Sequence, residues 1–520
     1  MSAARMPSLV EPGSLRYELG ELFEASGHEL WLVGGAVRDA LLGRPEPDLD
    51  FATDAKPSEV IDVLRGRASE MWLQGVRFGT VGAAVRGNRL EITTYREEWY
   101  PADSRKPEVH FARDIESDLS RRDFTINSMA VRTPSAEVFD PFGGIQDLAR
   151  RVIRTPRSPE QAFSDDPLRM LRACRFAATL SGEAGEFEVA EEVLGAIATM
   201  RERLGIVSRE RVRDELAKLI VGTRADLGLE AMVATGLADH ALPELPALAM
   251  EQDPLHRHKD VLRHTLAVVQ RVPQELVVRL AALFHDIGKP ATRAFGPGGT
   301  VTFHHHEVVG SKLAERRLRE LRFSSSVVES VRTLVFLHMR FHTFKLGWTD
   351  SAVRRYVRDA GDLLDELNAL VRADCTTRNP AKARALQERM DSLELRIAEL
   401  TEREELSRLR PPLDGHDVMA LYDLKPSRTV GRALEHLLEL RIESGPMGRK
   451  EAYDALEAWG RDQDLTPART AEEAMSVADA SRRAAEEAEA AYDADPAGRE
   501  DPVGPEVAGG PEEAAGPGEP

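Results

Sequence analysis

Short apolar runs alternate with a helical pattern in the first part of the chain. LWLV (residues 30–33) and LDFAT (residues 49–53) have the length of strands, and AVRDALLG (residues 36–43) between them places its apolar side chains at helical spacing. VGAAV (residues 81–85) and LEITTY (residues 90–95) are joined by a short turn that is typical of a β-hairpin. This region therefore predicts a small mixed α/β unit.

From about Asp165 onward the pattern is helical. Leu168, Leu171 and Phe176 recur at intervals that place apolar side chains on one face of a helix, and β-branched runs are few. A Pro-rich stretch (residues 236–256) separates this region from a second helical region that is rich in His. The predicted fold class is α+β with several domains, in which the mixed α/β head is followed by a mostly α-helical body.

The length of 520 residues exceeds that of one hydrophobic core, so several domains are expected. The predicted segments are an N-terminal extension (1–22), a head (23–160), a helical neck (161–250), a His-rich segment (251–400), a C-terminal helical part (401–465) and an acidic tail (466–520).

No apolar run reaches the ~18 residues of a membrane span, and no secretory signal begins the chain, so a cytoplasmic location is expected. Cys174 and Cys375 lack metal-ligand spacing, which argues against a disulfide framework or zinc site.

The net charge of −19 at first argues against a nucleic-acid partner, because phosphate binding needs Lys and Arg. Residues 471–520 carry 14 acidic residues and 3 Arg, so −11 of this charge lies there and −8 on the rest. Arg is locally dense in the remainder, for example at Arg121-Arg122 and at Arg169, Arg172 and Arg175. An acidic body with basic tracts is compatible with RNA. The tail has almost no large apolar residues and is predicted to be largely disordered, with a solvated helix as the alternative for its Ala- and Glu-rich part.

A carboxylate site is predicted in the head. Side chains alternate along a strand, so Asp48 and Asp50 lie on one face, and Glu91 supplies a third carboxylate if its strand lies beside theirs. Convergent carboxylates hold the divalent metals that nucleotidyl transfer needs. The Gly34-Gly35 turn before a helix exposes backbone N–H groups to a phosphate. Taken singly, an Asp-x-Asp pair is more often a solvated turn, and a Gly pair more often only a tight turn.

The motifs taken in order are more specific. LVGGAVRD, PDLDFAT, LEITTYR, DLSRRDFTINSMA, DPFGGIQDL, DDPLRMLRACRFA and SRERVRDELAKLI resemble the class II tRNA nucleotidyltransferase and bacterial poly(A) polymerase family over residues 30 to about 220. The resemblance implies a polymerase β-like head in which Asp48 and Asp50 bind two Mg²⁺ ions and Glu91 is the third carboxylate. It also implies nucleotide binding by Gly34, Gly35, Arg38, Arg122, Asp123, Asn127, Asp166, Arg169 and Arg172.

Within this set, Gly34, Gly35 and Arg38 match the triphosphate-binding turn, and the segment with Arg122 matches the sugar and metal side of the nucleotide. Arg96, Asp103, Arg105 and Lys106 fall in a loop that, in the family, helps to switch from adding C to adding A. A solvated charged connection is the alternative interpretation of that loop.

Asp166 and Arg169 are predicted to read the base, since the resemblance places them in the base-reading motif. Residues at i and i+3 share one face of a helix, so the carboxylate and the guanidinium could meet one planar ligand. Cytosine and adenine both present an amino donor beside an unprotonated ring nitrogen, whereas uracil and guanine present the reverse order. Asp165 replaces the Glu of the family motif and is given no base contact. The rival interpretation is an i, i+3 salt bridge within the helix.

A second metal centre is predicted in the His-rich segment. His264, then His285-Asp286, then Asp374 follow in the order of the HD phosphohydrolase family, and LAALFHDIGKPATR resembles its central helix. His306 and His338 fall where two-metal members of that superfamily place further ligands. The resemblance implies a divalent metal, which the sequence does not identify, and a phosphodiesterase or phosphatase activity. Of the run His304-His305-His306, only His306 fits the family pattern.

The C-terminal helical part resembles a region that contacts RNA in the same enzymes. Arg428, Arg432 and Arg441 are its candidate phosphate ligands. A plain helical cap is the alternative.

Addition of CCA to the 3′ end of tRNA from CTP and ATP, with release of pyrophosphate, is the predicted function; the partners are the 3′ end and acceptor arm of tRNA. Poly(A) polymerase shares every catalytic motif, but WLQGVRFGTVGAAV (residues 72–85) is closer to the CCA type. The loop WYPADSRKPEVHF (residues 99–111) disfavours an enzyme that adds only C. An HD phosphohydrolase with an accessory nucleotide-binding head would predict a damaged DLD site, yet Asp48, Asp50 and Glu91 are all present.

Overall fold

The computed structural model of this protein contains two compact units. The first comprises Met1–Lys345 with Ala360–Asp391, and the second comprises Leu346–Asp359 with Ser392–Pro520. The structure describes residues 5–45, 49–99, 108–112, 114–250, 260–296, 300–343, 348–375, 380–404 and 409–494.

Among the described residues, nine strands form the head of the first unit. They are β1 (Leu30–Val33), β2 (Leu49–Thr53), β3 (Glu70–Trp72), β4 (Thr80–Val85), β5 (Asn88–Thr94), β6 (Arg96–Trp99), β7 (Glu108–Phe111), β8 (Ala130–Thr133) and β9 (Val138–Phe139). Seven form one sheet in the order β3-β4-β5-β2-β1-β8-β9, and β6 pairs with β7. The pair β2 and β5 is parallel, whereas the other neighbours in the sheet are antiparallel. The predicted mixed α/β head is confirmed.

The helices of the head are α1 (Leu15–Ala25), α2 (Gly35–Leu41), α3 (Pro57–Leu64), α4 (Ile115–Ser120) and α5 (Gly144–Arg150). Helix α1 packs against β1 and β8, burying Leu19 and Phe23, which lie four residues apart on one helical face. This corrects the predicted N-terminal extension: its boundary at residue 22 falls inside a helix that belongs to the head.

The β4–β5 hairpin has one buried and one open face. Its turn places Arg86 and Gly87 at positive φ (51° and 77°), as a type I′ turn requires. Along β4, buried Val81, Ala83 and Val85 alternate with half-exposed residues. Helix α3 packs against both strands, so the opposite face of the hairpin remains accessible.

The chain beyond the head is mainly helical. The helices are α6 (Pro159–Asp165), α7 (Leu168–Leu180), α8 (Glu191–Met200), α9 (Arg209–Ile220), α10 (Ala225–Ala234), α11 (Ala238–Ala241), α12 (Val261–Arg271), α13 (Leu276–Phe284), α14 (Lys289–Thr292), α15 (His306–Glu320), α16 (Ser325–Leu337), α17 (Arg340–Thr343), α18 (Asp350–Ala360), α19 (Leu364–Asp374) and α20 (Pro380–Glu404). Two short ladders pair β10 (Val152–Ile153) with β11 (Glu188–Val189) and β12 (Ala294–Phe295) with β13 (Val301–Thr302).

Two buried helices organise this part of the first unit. Helix α7 packs against α9 and α10, and it carries the predicted base-reading segment at its start. Helix α13 is apolar almost all round, as expected of a helix surrounded by others, and it packs against α12, α16 and α19. None of the helices in the described ranges is both long and apolar enough to cross a membrane.

The second unit contains nearly all of α18, the C-terminal part of α20, and α21 (Gly415–Tyr422), α22 (Arg428–Ser444), α23 (Arg449–Asp462) and α24 (Ala471–Ala494). Helix α24 packs against α21 and buries Ala474 and Ala478. The predicted disorder of residues 466–520 is therefore wrong for residues 471–494, and the solvated helix that was the alternative there is instead packed, because tertiary contacts stabilise an Ala-rich helix that is marginal alone. The remainder of the acidic tail lies outside the described residues.

A buried carboxylate ties α24 to the second unit. Asp417 accepts hydrogen bonds from Arg449 Nη2 at 2.7 Å and Arg482 Nη1 at 3.0 Å. The Tyr453 hydroxyl donates a third, at 2.8 Å. Burial opposes the charged form, but these donors hold the pKa of Asp417 well below its usual range. Losing Arg482 would therefore leave a buried charge with fewer partners.

We expect deletion of residues 466–520 to lower the free energy of unfolding of the second unit by about 3 kcal/mol or more, because it removes Arg482 and uncovers the core beneath α24. Thermal or urea denaturation monitored by circular dichroism measures the change. A deletion of residues 495–520 alone is the matched control, since it leaves these contacts in place. Equal stability of the two truncated proteins would contradict the proposed role of α24.

Candidate active sites

The parallel pair of strands β2 and β5 places two predicted carboxylates side by side. Asp50 lies directly opposite Glu91 in the register, so both side chains project from the same face of the sheet. Asp50 is half-buried and Glu91 is exposed. Carboxylate oxygens are the ligands that Mg²⁺ prefers, and this juxtaposition fits the predicted magnesium site. Asp48, the other predicted ligand, lies outside the described residues.

Gly34 brings the chain close to Asp50 and Arg122. Its φ of 71° favours glycine, and a Cβ there would lie 2.9 Å from Arg122 Nη1 and 3.9 Å from Asp50 Oδ2. Arg122 is fixed by buried Asp118, whose Oδ2 accepts from Nη2 at 3.1 Å. Burial opposes ionisation of Asp118, but Arg121 and Arg122 together lower its pKa. Sequence reasoning missed Asp118, although its position four residues before Arg122 is the spacing of a helical ion pair.

Four predicted nucleotide-binding residues form one hydrogen-bonded network. Arg38 Nη1 donates to Asn127 Oδ1 at 2.6 Å, and Asn127 Nδ2 donates to Asp123 Oδ1 at 2.9 Å. Arg172 Nε donates to Asp123 Oδ2 at 2.9 Å. Burial alone would raise the pKa of Asp123, but Arg172 and Asn127 lower it to about 2. The network joins residues from three sequence motifs into one rigid array.

Three guanidinium groups surround the ring of Phe176. The distance from the guanidinium carbon to the ring centroid is 4.0 Å for Arg175, 5.3 Å for Arg38 and 5.8 Å for Arg172. Buried Glu215 accepts from Arg175 Nε at 2.5 Å and so balances part of this charge. The sequence identified Phe176 only as an apolar position of α7, yet its ring orders the cationic side chains beside the network.

The base-reading pair does not lie on one helical face, which corrects the predicted geometry. Asp166 sits in the break between α6 and α7 with extended backbone (φ −140°, ψ 102°), because the residue before a proline avoids helical conformation. Its Oδ2 pairs with Arg211 Nη2 at 2.7 Å. This ion pair between distant parts of the sequence replaces the i, i+3 salt bridge to Arg169 that was the alternative prediction. Arg169 instead donates to the backbone carbonyls of Arg121 and Ala162. Arg211 was not among the predicted site residues.

Only the two ends of the predicted switching loop, in the paired strands β6 and β7, lie among the described residues. Arg96 begins β6 and donates to the carbonyl of Phe78. Asp103, Arg105 and Lys106 lie outside the described residues. Gly35, the remaining predicted glycine, is the first residue of α2.

All six predicted ligands of the second centre converge. His264 Nε2 lies 2.9 Å from Asp374 Oδ1 and 3.3 Å from His285 Nε2. His306 Nε2 lies 3.3 Å from His338 Nε2 and 3.5 Å from Asp286 Oδ1. The ligand atoms form two groups that share Asp286: His264, His285 and Asp286, and Asp286, His306 and His338. The preceding His304 and His305 are exposed, in contrast to buried His306.

Backbone carbonyls fix the orientation of three of these imidazoles. Nδ1 of His285, His306 and His338 lies 2.6 to 2.9 Å from the carbonyl three residues earlier in each case. A donated Nδ1–H leaves the Nε2 lone pair directed into the cluster, the tautomer that ligates metals. Burial lowers the pKa of His338 to about 3 and also lowers that of His306, which favours their neutral forms. These properties fit a divalent metal centre.

Opposing charges balance the carboxylates of the cluster. Burial disfavours their ionisation, but neighbouring His and Lys groups hold the pKa values of Asp286 and Asp374 well below the usual range. Lys289 Nζ donates to Asp286 Oδ2 at 2.7 Å. His342 Nε2 lies 3.7 Å from Asp374 Oδ2. Sequence reasoning missed Lys289 and His342; the HDIGK run, with Lys289 three residues after Asp286, was the available signal for the lysine.

The candidate phosphate ligands of the second unit lie along α22. Arg428 begins the helix and is exposed. Arg432 donates to Gln463, and Arg441 Nη1 donates to the carbonyl of Arg410 at 2.6 Å. Their contact with RNA remains a prediction.

The fold and the two sites are those expected of a nucleotidyltransferase head joined to a helical body with an HD-type cluster of His and Asp side chains. Three family descriptions match the chain: the poly(A) polymerase head domain over residues 30–154, the probable RNA and SrmB-binding site of polymerase A over residues 186–248, and the HD domain over residues 259–405.

Curated relatives match over most of their length. A CC-adding tRNA nucleotidyltransferase of Thermus thermophilus is 35% identical over 81% of this chain and 91% of the relative. A CCA-adding enzyme of Anoxybacillus flavithermus is 30% identical over 80% and 89%, respectively. An A-adding tRNA nucleotidyltransferase of Deinococcus radiodurans is 34% identical over 83% and 95%. The protein therefore belongs to the tRNA nucleotidyltransferase and poly(A) polymerase family, as the motifs predicted.

A solved structure supports the same assignment. The Bacillus stearothermophilus CCA-adding enzyme in complex with CTP superposes with a TM-score of 0.61 at 25% identity, covering 86% of this chain and 97% of the other.

Proposed function

We propose that this protein adds CCA to the 3′ end of tRNA from CTP and ATP and releases pyrophosphate. The observation that carries the proposal is the placement of Asp50 between Glu91 on the neighbouring strand and the Gly34 turn with Arg122. This arrangement supplies the two requirements of nucleotidyl transfer, carboxylates for divalent metals and fixed cations for the triphosphate. Similarity to enzymes named for adding CC, A and CCA supports a tRNA acceptor.

The side chains of the head have separate roles in the proposed reaction. Asp48, Asp50 and Glu91 would hold two Mg²⁺ ions, which neutralise the triphosphate and lower the pKa of the attacking hydroxyl. The backbone at Gly34 allows the phosphates to approach Arg122 closely, because no Cβ intervenes. Asp118 keeps the guanidinium of Arg122 in place before the nucleotide arrives, so little reorganisation is needed.

Selection of C and A is assigned to Asp166 and Arg169. A carboxylate acceptor and a guanidinium donor satisfy the amino group and ring nitrogen that both bases share. The structure adds a partner to this mechanism: Arg211 holds Asp166 Oδ2, and an incoming amino group would share or replace that contact. Uracil and guanine would leave the carboxylate facing an oxygen, which costs about 1–3 kcal/mol.

We expect Arg169→Ala to reduce discrimination between bases by about tenfold or more. In the variant, the N–H donors of Arg169 no longer face the ring N–H of uracil or guanine, which is the mismatch that rejects these two bases. The kcat/KM values for CTP, ATP, UTP and GTP measure this effect. Arg211→Ala is the comparison variant, because it removes the ion-pair partner of Asp166 while keeping Arg169. If Arg169 only ties α7 to the carbonyl of Arg121, all four nucleotides would slow in proportion and the CTP-to-UTP ratio would not change.

Incubation with tRNA lacking its CCA end tests the proposed function. With CTP and ATP together, sequencing of the product ends should show CCA and then termination. Products ending in CC or in long runs of A would instead identify an enzyme that adds only CC or a poly(A) polymerase.

The convergence of six ligands favours a second activity. We propose that the HD centre is a metal-dependent phosphohydrolase that acts on phosphate esters. Support comes from the two donor groups sharing Asp286 and from the imidazoles fixed by Nδ1 contacts. Divalent metals held there would act as Lewis acids and would provide a water nucleophile at neutral pH.

A further inference from the structure

A continuous row of residues crosses the open face of the head sheet. Asp50 on β2 is paired with Glu91 on β5, Glu91 with Gly82 on β4, and Gly82 with Trp72 on β3. Residues directly opposite one another project from the same face, so the indole and both carboxylates share one surface. Four neighbouring strands thus carry the carboxylates at one end of the row and an aromatic ring at the other.

Gly82 gives the Trp72 ring room within this row. A Cβ at that position would lie 3.2 Å from Trp72 Cε3, closer than ordinary side-chain contacts. Because glycine has no side chain, the indole of Trp72 can pack against the backbone of β4 beside Glu91. Strands lie ~4.8 Å apart, so the span from β5 to β3 is about 10 Å, comparable with the size of one nucleotide.

A cation borders the indole. The guanidinium carbon of Arg89 lies 4.8 Å from the centroid of the Trp72 ring. Arg89 is exposed and Trp72 is half-buried, so the pair can be reached from solvent. An indole and a planar guanidinium are the groups on which proteins stack unpaired bases, and Arg also attracts phosphate.

The geometry of the reaction indicates which ligand binds at the Trp72–Arg89 pair. In a phosphoryl transfer, the attacking and leaving oxygens lie on opposite sides of the phosphorus. Gly34, Arg38 and Arg122 gather around β1 and α2, on the far side of Asp50 from β5, and are assigned to the leaving pyrophosphate. The attacking 3′ hydroxyl must therefore arrive from the side of Glu91 and Gly82.

We propose that the 3′-terminal nucleotide of the acceptor RNA lies beside Glu91, with its base against the Trp72–Arg89 pair. Trp72 is a positioning residue: it holds the acceptor end so that the terminal hydroxyl faces the carboxylates. The inference rests on the proposed function of the head and adds the site of the second substrate. Trp72 should accordingly affect the acceptor and not the incoming nucleotide.

The test uses the full-length protein and a tRNA lacking CCA whose 3′-terminal nucleotide is 2-aminopurine. Stacking on an indole quenches its fluorescence, so wild type should quench it and Trp72→Ala should not. The Kd for this RNA should rise about tenfold in Trp72→Ala, as expected for loss of one stacked base, while the KM for CTP stays unchanged. Trp72→Phe should retain most of the affinity.

Phe295→Ala is the matched control, because Phe295 is also exposed and has Arg293 at 4.9 Å from its ring centroid. It should leave quenching and affinity unchanged. Arg89→Ala, a change at an exposed residue, should weaken binding and reduce its salt dependence by about one phosphate contact. Quenching and Kd equal to wild type in Trp72→Ala, or an unaltered salt dependence in Arg89→Ala, would overturn the inference. Because fluorescence reports binding alone, failure of wild type to add nucleotides would refute the proposed function separately.

Discussion

Replacing Asp50 with Ala is expected to reduce the rate of both C and A addition by at least about a hundredfold while leaving tRNA affinity close to that of wild type. The carboxylate faces Glu91 on the neighbouring strand and lies beside Gly34 and Arg122, where the phosphates are assigned. Removing the carboxylate removes a metal ligand and therefore slows the chemical step. The RNA-contacting surface stays intact. Asp48→Ala should have the same effect.

Single-turnover addition to tRNA lacking CCA measures this rate, and filter binding measures the affinity. Asp50→Asn tests charge separately from size and should be nearly as inactive as Asp50→Ala. Asp54→Asn is the control, because Asp54 follows the same strand but lies outside the carboxylate row. If Asp50→Ala kept more than a few per cent of the wild-type rate, the metal assignment would be wrong.

Asp286→Ala should abolish metal-dependent phosphohydrolase activity and lower the metal content of the protein, with CCA addition nearly unchanged. The carboxylate belongs to both groups of ligands, so its loss disrupts both, and Lys289 then remains buried without its partner. A buried unpaired cation costs several kcal/mol, so thermal denaturation must show that the variant is folded.

His285→Ala provides a second variant that keeps the Asp286–Lys289 pair. His305→Ala is the control, since its side chain is 82% exposed beside the cluster. Hydrolysis of a chromogenic phosphodiester and elemental analysis of bound metal give the two readouts. Loss of CCA addition in a folded variant would show that this centre takes part in the polymerase reaction.

Sequence reasoning predicted residue types more securely than their spatial relations. The strand containing Glu91 was expected beside that of Asp50 only conditionally, because pairing between distant strands depends on the sheet register, and the structure supplies that register. The same register creates the row that ends at Trp72, for which the sequence had no local signal. Long-range pairs such as Asp166 with Arg211 were likewise unpredictable from spacing.

Two predictions were wrong, one because a local sequence signal was overlooked and the other because of tertiary packing. The helical face assigned to Asp166 ignored Pro167, although the residue before a proline disfavours helical backbone, and this signal was present in the sequence. For residues 471–494 disorder was predicted, with a solvated helix as the alternative, because these residues include few large apolar side chains. Arg482 and Ala474 find partners on other helices of the second unit, and composition alone cannot reveal such partners.

One active site in the head is expected to add both C and A. The most direct test offers the purified protein two acceptors, a tRNA lacking CCA and a tRNA ending in CC, each with CTP and ATP, and sequences the 3′ ends. Both acceptors should finish as CCA at comparable rates. An enzyme that stops at CC on the first acceptor and leaves the second unextended, or that extends only the second, would show that the site does not add both nucleotides.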